Sequence, residues 1–347
     1  MYLKVWSLPE PESILKESAE WAFINSRPVY SLSEVMGDAR AVQLLMSLAE
    51  KYAAEIRRFS PSAAYIGSSR GEIALLVQGI RSWEGTGKVS PTLSPETSMG
   101  TLASQVARYL GITGSAATIS QTCLSGLSAL HMAALHVRAG EGRCVLFGAV
   151  DAPLTPFFVE TMAALRIYTR ETTPPYVRPG HVTSKNTFAL GEGAVLGLLS
   201  SERFSPFKLV QIRLHTAPVR HGVSFTAVDT EALTALLSQM EGEKPDFVLL
   251  HAPGTAQGDA AEWEAVYRVW GDIPVLSIKR FIGHTLGAAP LLSLSAALFL
   301  LQTRKWVSMP YATFWKGSLS PVRWREVIVI GLGYGGVMGA LRIQYEP

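Results

Sequence analysis

The chain has 347 residues, 48% hydrophobic and 17% charged, with a formal net charge of +3. That length can bury a large core, as one big domain or two coupled halves, and so weak a charge without a long basic run argues against nucleic acid as a partner. The only two cysteines, Cys123 and Cys144, speak against a disulfide framework and for a reducing compartment; residues 1–6 lack the apolar run of a signal peptide, so a cytoplasmic location is expected.

Residues 1–60 carry the least pattern. Ser31-Leu32-Ser33-Glu34 reads as a polar lead-in, and Ala41, Leu44, Leu45, Leu48 and Ala49 recur at the spacing of a helix over roughly 38–58. Residues 63–69 read as a strand ending in a small-residue turn. Helices are expected over 72–83 and 97–110, separated by a Gly/Pro loop at 84–95, the second ended by Gly111. Residues 116–123 are apolar and β-branched, as in a buried strand, and run into a helix that reaches about Arg138 and stops at Gly140. A buried strand at 144–150 and a helical stretch near 155–166 follow. The aperiodic segment 170–186 carries three prolines and reads as a surface or active-site loop, and 188–199 is a strand broken by Gly191-Glu192-Gly193.

The second half repeats the rhythm: strand 208–215, helix 230–240, strand 247–250, helix 259–270, strand 275–278, a long apolar helix, and strands 327–330 and 339–344. Strands alternating with helices imply a layered α/β protein, and the halves 60–200 and 208–347 share an element order. Between Phe281 and Thr303 there is no charged side chain, a length that could span a bilayer; His284, Pro290, Gly283, Gly287 and several Ser and Thr residues make a helix buried in the protein core the preferred reading, with no membrane span.

Four stretches look chemical. Cys123 sits at the strand–helix join, where the positive end of a helix macrodipole would lower a thiol pKa; the competing reading is a small apolar residue filling a packed corner. His251 leaves the end of a buried strand into a Gly/Pro turn, with Thr255, Gly258, Asp259 and Glu262 behind it, a common place for sites in α/β folds. Ser277, Lys279, Gly283 and His284 flank the start of the apolar helix, and a lysine beside so much apolar sequence needs a partner, for which Glu262 is available. Gly331, Gly333, Gly335 and Gly336 let backbone come close to a ligand, but no helix with an acidic residue follows, so this is not a nucleotide fingerprint.

In order and spacing these stretches resemble the β-ketoacyl-(acyl carrier protein) synthases of the thiolase superfamily, elongating Cys-His-His type. The matches are Thr122-Cys123-Leu124-Ser125-Gly126, then His251 with Thr255, Gly258, Asp259 and Glu262, then Ser277-x-Lys279 with Gly283-His284-x-x-Gly287-Ala288-Ala289, and Gly333-Tyr334-Gly335-Gly336. Arg178-Pro179 and the stretch Phe188 to Ala194 also look like the family, and the resemblance runs from about residue 64 to the C-terminus.

The resemblance implies a duplicated five-layer αβαβα thiolase fold, with a nucleophile half at 1–205 and a histidine half at 206–347. It implies that Cys123 takes an acyl chain from a carrier-protein phosphopantetheine as a thioester, and that malonyl-carrier protein then loses CO2 and extends the chain by two carbons. His251 and His284 would donate to the malonyl thioester carbonyl, and Lys279 would organise them through Glu262, with Thr255 and Asp259 in support. The amides of Cys123 and Tyr334 would form the oxyanion hole, within a turn that Gly333, Gly335 and Gly336 permit, and Tyr334 would gate the acyl pocket. No metal or redox cofactor is implied. The implied partners are an acyl carrier protein and either a second copy or another ketosynthase-like subunit.

The departures are Ala252-Pro253 after the first histidine, Leu124 after the nucleophile, Lys185 but no acid in 180–187, a curtailed N-terminus and a short 201–246 connection. They point to a divergent member in specialised fatty-acid, polyene or polyketide synthesis. The alternative is a chain-length-factor-like partner, weakly active or non-catalytic, although such chains usually lack the nucleophile that Cys123 preserves. A priming synthase or thiolase fits less well: the former uses Asn at the place of His284, and Cys144 is misplaced for the second thiolase cysteine.

Overall fold

A computed structural model describes residues 1–16, 20–32, 39–180, 185–218, 227–307 and 324–347. Ser33 and Glu34 of the expected lead-in, and parts of the 170–186 loop and of the 201–246 connection, lie outside these residues.

The strands, in chain order, are β1 Tyr2–Leu8, β2 Trp21–Ile24, β3 Arg27–Tyr30, β4 Ala64–Gly67, β5 Ala116–Ile119, β6 Cys144–Asp151, β7 Leu190–Gly191, β8 Gly193–Ser200, β9 Phe207–Thr216, β10 Phe247–Leu249, β11 Val275–Leu276, β12 Glu326–Gly333 and β13 Val337–Tyr345. Ten of them form one mixed sheet in the order β11-β10-β12-β13-β9-β1-β8-β6-β4-β5. The strands preceding residue 206 occupy one side of this sheet and those following it the other. They meet where β1 pairs with β9 through Tyr2 and Lys208. The parallel pairs β4–β5, β4–β6, β10–β11 and β10–β12 are joined by helical crossovers, as the alternating sequence predicts.

The interior strands read as unbroken apolar runs because both their faces are covered; every residue of β6 and β8 is buried. The helices Ser125–Arg138 and Ala289–Thr303 pack against each other and against the sheet. Leu286–Thr303 is long and apolar enough to cross a membrane, yet 83% of it is buried inside the protein. It is apolar all round because it has protein on every side. Each of its buried leucines contributes roughly 1.5–3 kcal/mol.

Two departures from the sequence reading stand out. The expected helix over 38–58 is two helices, Arg40–Lys51 and Ala53–Arg58, broken at Tyr52. Strand β1 was not anticipated, although it pairs along its whole length with β8. A second sheet, β2-β3-β7, lies beside the site, and β7 sets the approach of the His284 segment.

Candidate active site

The turn that carries Cys123 is held by local bonds from backbone and from the Ser125 hydroxyl. Ser125 Oγ donates to the carbonyl of Thr122 (2.6 Å) and accepts the amide of Gln121 (2.9 Å), and the Leu124 amide bonds the carbonyl of Gln121 (3.0 Å). The turn forces Thr122 to φ 50°, a left-handed conformation that costs a β-branched residue about 1–3 kcal/mol and that persists because the surroundings enforce it. Cys123 is therefore not in the first turn of the helix. It precedes the cap, Leu124, of a helix that begins at Ser125.

Two glycines bring neighbouring segments onto this turn. A Cβ on Gly126 would lie 2.7 Å from the carbonyl oxygen of Gly287, and one on Gly333 would lie 2.2 Å from Thr122 Oγ1 and 3.4 Å from the Cys123 amide nitrogen. The glycine turn thus rests directly on the Cys123 loop. Gly335 and Gly336, at φ 83° and 74°, let the chain reverse there between β12 and β13.

His251 follows β10 and is buried, and His284 lies between Gly283 and the long helix, also buried. The His284 amide donates to Ala189 (2.8 Å) and its carbonyl accepts from Gly191 (3.1 Å), which fixes the segment against β7. Gly283, at φ 62°, permits this approach, since a Cβ there would lie 2.7 Å from the carbonyl oxygen of Leu190. The two imidazoles stand edge to face, centroids 4.9 Å apart, with Phe188 edge-on to His284 at 5.6 Å. Burial holds both histidines well below their ordinary pKa, and the Lys279 charge adds to this. At neutral pH they are uncharged N–H donors.

The acidic residues act on the backbone. Glu262 accepts the amides of His251 and Ala252, each at 2.7 Å, and so fixes where the His251 strand turns. The expected partnership of Lys279 with Glu262 involves no hydrogen bond: Lys279 Nζ is buried without a hydrogen-bond partner among the described residues. The two groups interact through their charges, while burial pushes the carboxyl up and the amine down. Asp259 accepts the amides of Gly180 (2.8 Å), Gly254 (3.1 Å) and Thr255 (3.1 Å) and the Thr255 hydroxyl (3.3 Å), so it ties the 170–186 loop to the His251 turn. Burial against these bonds raises its pKa to about 6.

Cys123, His251, His284, Thr255, Gly333 and Tyr334 line one cavity of about 990 Å³. Lys279 and Asp259 stand behind its wall. The expectation of a depressed thiol pKa is corrected: burial, reinforced by Asp151, pushes Cys123 up to about 12, against the charges of Arg70 and Lys279. Placed before the helix rather than in its first turn, the thiol is governed by desolvation. Tyr334 is likewise raised to about 12 by burial and by Cys123.

Three residues of the site were not read from the sequence. Asn186 lines the cavity, and its side-chain oxygen accepts the Ala256 amide (3.0 Å). Asp151, wholly buried, accepts from Ser68 Oγ (3.0 Å) and from the amides of Ser69 (3.0 Å), Arg70 (2.9 Å) and Gly287 (2.7 Å). Arg70 leaves this same turn. The available signal was a lone acid ending an apolar strand at 144–150.

Solved structures of similar shape include a chain of a type II polyketide-synthase acyl-carrier protein in complex with its ketosynthase bound to the hexaketide (AntDE:AntF). The TM-score is 0.84 at 18% identity, covering 99% of this chain and 98% of that one. The ketosynthase ApeO with its chain length factor ApeC, from Xenorhabdus doucetiae, gives 0.83 at 18% identity, with the same coverage of both chains. The architecture is the α/β thiolase fold of ketosynthases. In sequence, residues 41–204 match the model of the beta-ketoacyl synthase N-terminal domain and residues 215–311 that of the C-terminal domain. The chain belongs to the beta-ketoacyl synthase family. A protein of Streptomyces halstedii named polyketide beta-ketoacyl synthase 1 is 27% identical over 285 residues, covering 73% of this chain and 66% of that protein. The tetracenomycin ketoacyl synthase alpha subunit of Streptomyces glaucescens is 29% identical over 215 residues, covering 57% and 50%.

Proposed function

We propose that the chain is a β-ketoacyl-(acyl carrier protein) synthase of specialised fatty-acid, polyene or polyketide synthesis. The observation that carries the reading is that Cys123, His251, His284 and the glycine turn line one and the same cavity. The Cys123 sulfur attacks the thioester carbonyl of an acyl-carrier protein, the phosphopantetheine thiol leaves, and the chain is held on Cys123. Malonyl-carrier protein then loses CO2, and the resulting enolate attacks the Cys123 thioester, releasing the Cys123 sulfur and lengthening the chain by two carbons. Negative charge gathers on a carbonyl oxygen in both half-reactions, so fixed, uncharged donors are what the chemistry needs. His251 and His284 supply them to the malonyl thioester. The amides of Cys123 and Tyr334 supply them to the acyl thioester, and Tyr334 gates the acyl pocket. Lys279 biases both histidines to the neutral form through its charge, and Glu262, Asp259 and Thr255 hold the His251 turn. The scheme uses no metal or redox cofactor, only substrates carried on phosphopantetheine, and the protein would work as a soluble enzyme in the cytoplasm.

A ketosynthase-like partner subunit or a second copy belongs to this reading. Strand β5 ends the sheet, and Leu76, Ile80 and Trp83 expose one apolar face of the helix Ile73–Thr86. The similarity in shape to a ketosynthase solved with its chain length factor keeps a second reading, a chain-length-factor-like subunit of a heterodimer. The purified chain, alone and with a ketosynthase-like partner, is to be given acyl- and malonyl-carrier protein, following CO2 release and the β-ketoacyl product. Turnover that Cys123→Ala abolishes is expected. Turnover by the pair that survives Cys123→Ala would select the second reading.

A further inference from the structure

The charges near Cys123 are not confined to Lys279. Asp151 ends β6 and is wholly buried, and its carboxylate gathers the turn 68–70 on one side and the Gly287 amide on the other. That turn fixes the backbone of Arg70, whose guanidinium lies over the Phe158 ring, 5.0 Å from its centroid. Phe158 packs in the same apolar cluster as Cys123. Among the described residues no carboxylate forms an ion pair with the Arg70 guanidinium; Asp151 accepts only its backbone amide.

We propose that Arg70 and Asp151 form a positioning pair that sets the reactivity of the Cys123 thiol: the buried carboxylate locks the turn, and the turn holds a positive charge over Phe158, at the apolar cluster in which Cys123 is packed. The proposal deepens the synthase reading and rests on Cys123 being the acyl-accepting group. Facing Cys123 are Arg70 from the turn, Asp151 from β6, Lys279 from the helix Lys279–Ile282, neutral His251 and His284 from the cavity wall, and Tyr334 from the glycine turn. Arg70 and Lys279 favour the thiolate and Asp151 opposes it. Arg70 is exposed, so solvent weakens its effect, whereas Asp151 acts through the protein interior. The two charges therefore make opposite predictions, which a purely architectural role for the turn would not.

The test is iodoacetamide alkylation of the full-length protein between pH 7 and 10, resolving the Cys123 and Cys144 peptides by mass spectrometry. Arg70→Gln is expected to slow Cys123 alkylation about threefold at a given pH, equivalent to half a pKa unit, and Arg70→Lys to restore it. Asp151→Asn is expected to speed it about threefold or more while Cys144 stays at the wild-type rate, which shows that the fold is intact. A rate–pH profile of Arg70→Gln that overlies wild type overturns the proposal, as does equal slowing by Gln and Lys. Alkylation needs no carrier protein. A shifted profile without acyl loading would therefore keep this assignment and remove the synthase reading, and loading with an unshifted profile would do the reverse.

Discussion

His284→Ala is expected to lower malonyl-carrier decarboxylation by about 10²–10³-fold, the usual loss when one preorganised donor to a developing oxyanion is removed. The imidazole is buried and uncharged at neutral pH, on a segment whose backbone is bonded to Ala189 and Gly191, and its loss leaves His251 as the remaining imidazole donor. Acyl transfer to Cys123, which the proposed scheme assigns to the amide donors instead, should stay within a few-fold of wild type. CO2 release and acyl loading, measured on the same preparation, separate the two half-reactions; parallel loss of both would mean that the variant had disturbed the cavity as a whole.

Gly67→Ala is expected to destabilise the protein by about 3 kcal/mol or more, because overpacking here meets backbone that cannot move aside. Gly67 ends β4 beneath the first turn of the helix Ser125–Arg138, and a Cβ there would lie 2.4 Å from the carbonyl carbon and oxygen of Ser125 and 2.5 Å from the Gly126 nitrogen. The added methyl must push that turn, and Cys123 with it, away from the sheet. Thermal unfolding should show a large fall in Tm. A Tm within about a degree of wild type would mean that the turn does not rest on β4.

Much of the site was legible because its chemistry is written in short, local spacings. Gly283-His284 and Gly333-Tyr334-Gly335-Gly336 need glycine for close backbone approach, and the bulk and φ constraints that demand it act within a few residues. The alternation of strand and helix was equally readable, since strands buried on both faces read as apolar runs. What the sequence hid depends on distant partners. Strand β1 carries Lys4 amid apolar neighbours and gains its identity only by pairing with β8, far along the chain. The thiol of Cys123 was expected to be acidic from its place at a helix start; burial, a property of the whole fold, and Asp151 reverse that. Glu262 was matched to Lys279 by charge, yet its oxygens are taken by two amides that no spacing rule would pair with it.

Mass spectrometry of the Cys123 peptide after incubation with acyl-carrier protein tests the central claim most directly. A mass increase equal to the acyl chain on Cys123, removed by hydroxylamine and absent in Cys123→Ala, is the predicted result. A peptide that stays unmodified, whether the chain is alone or joined by a ketosynthase-like partner, would contradict it.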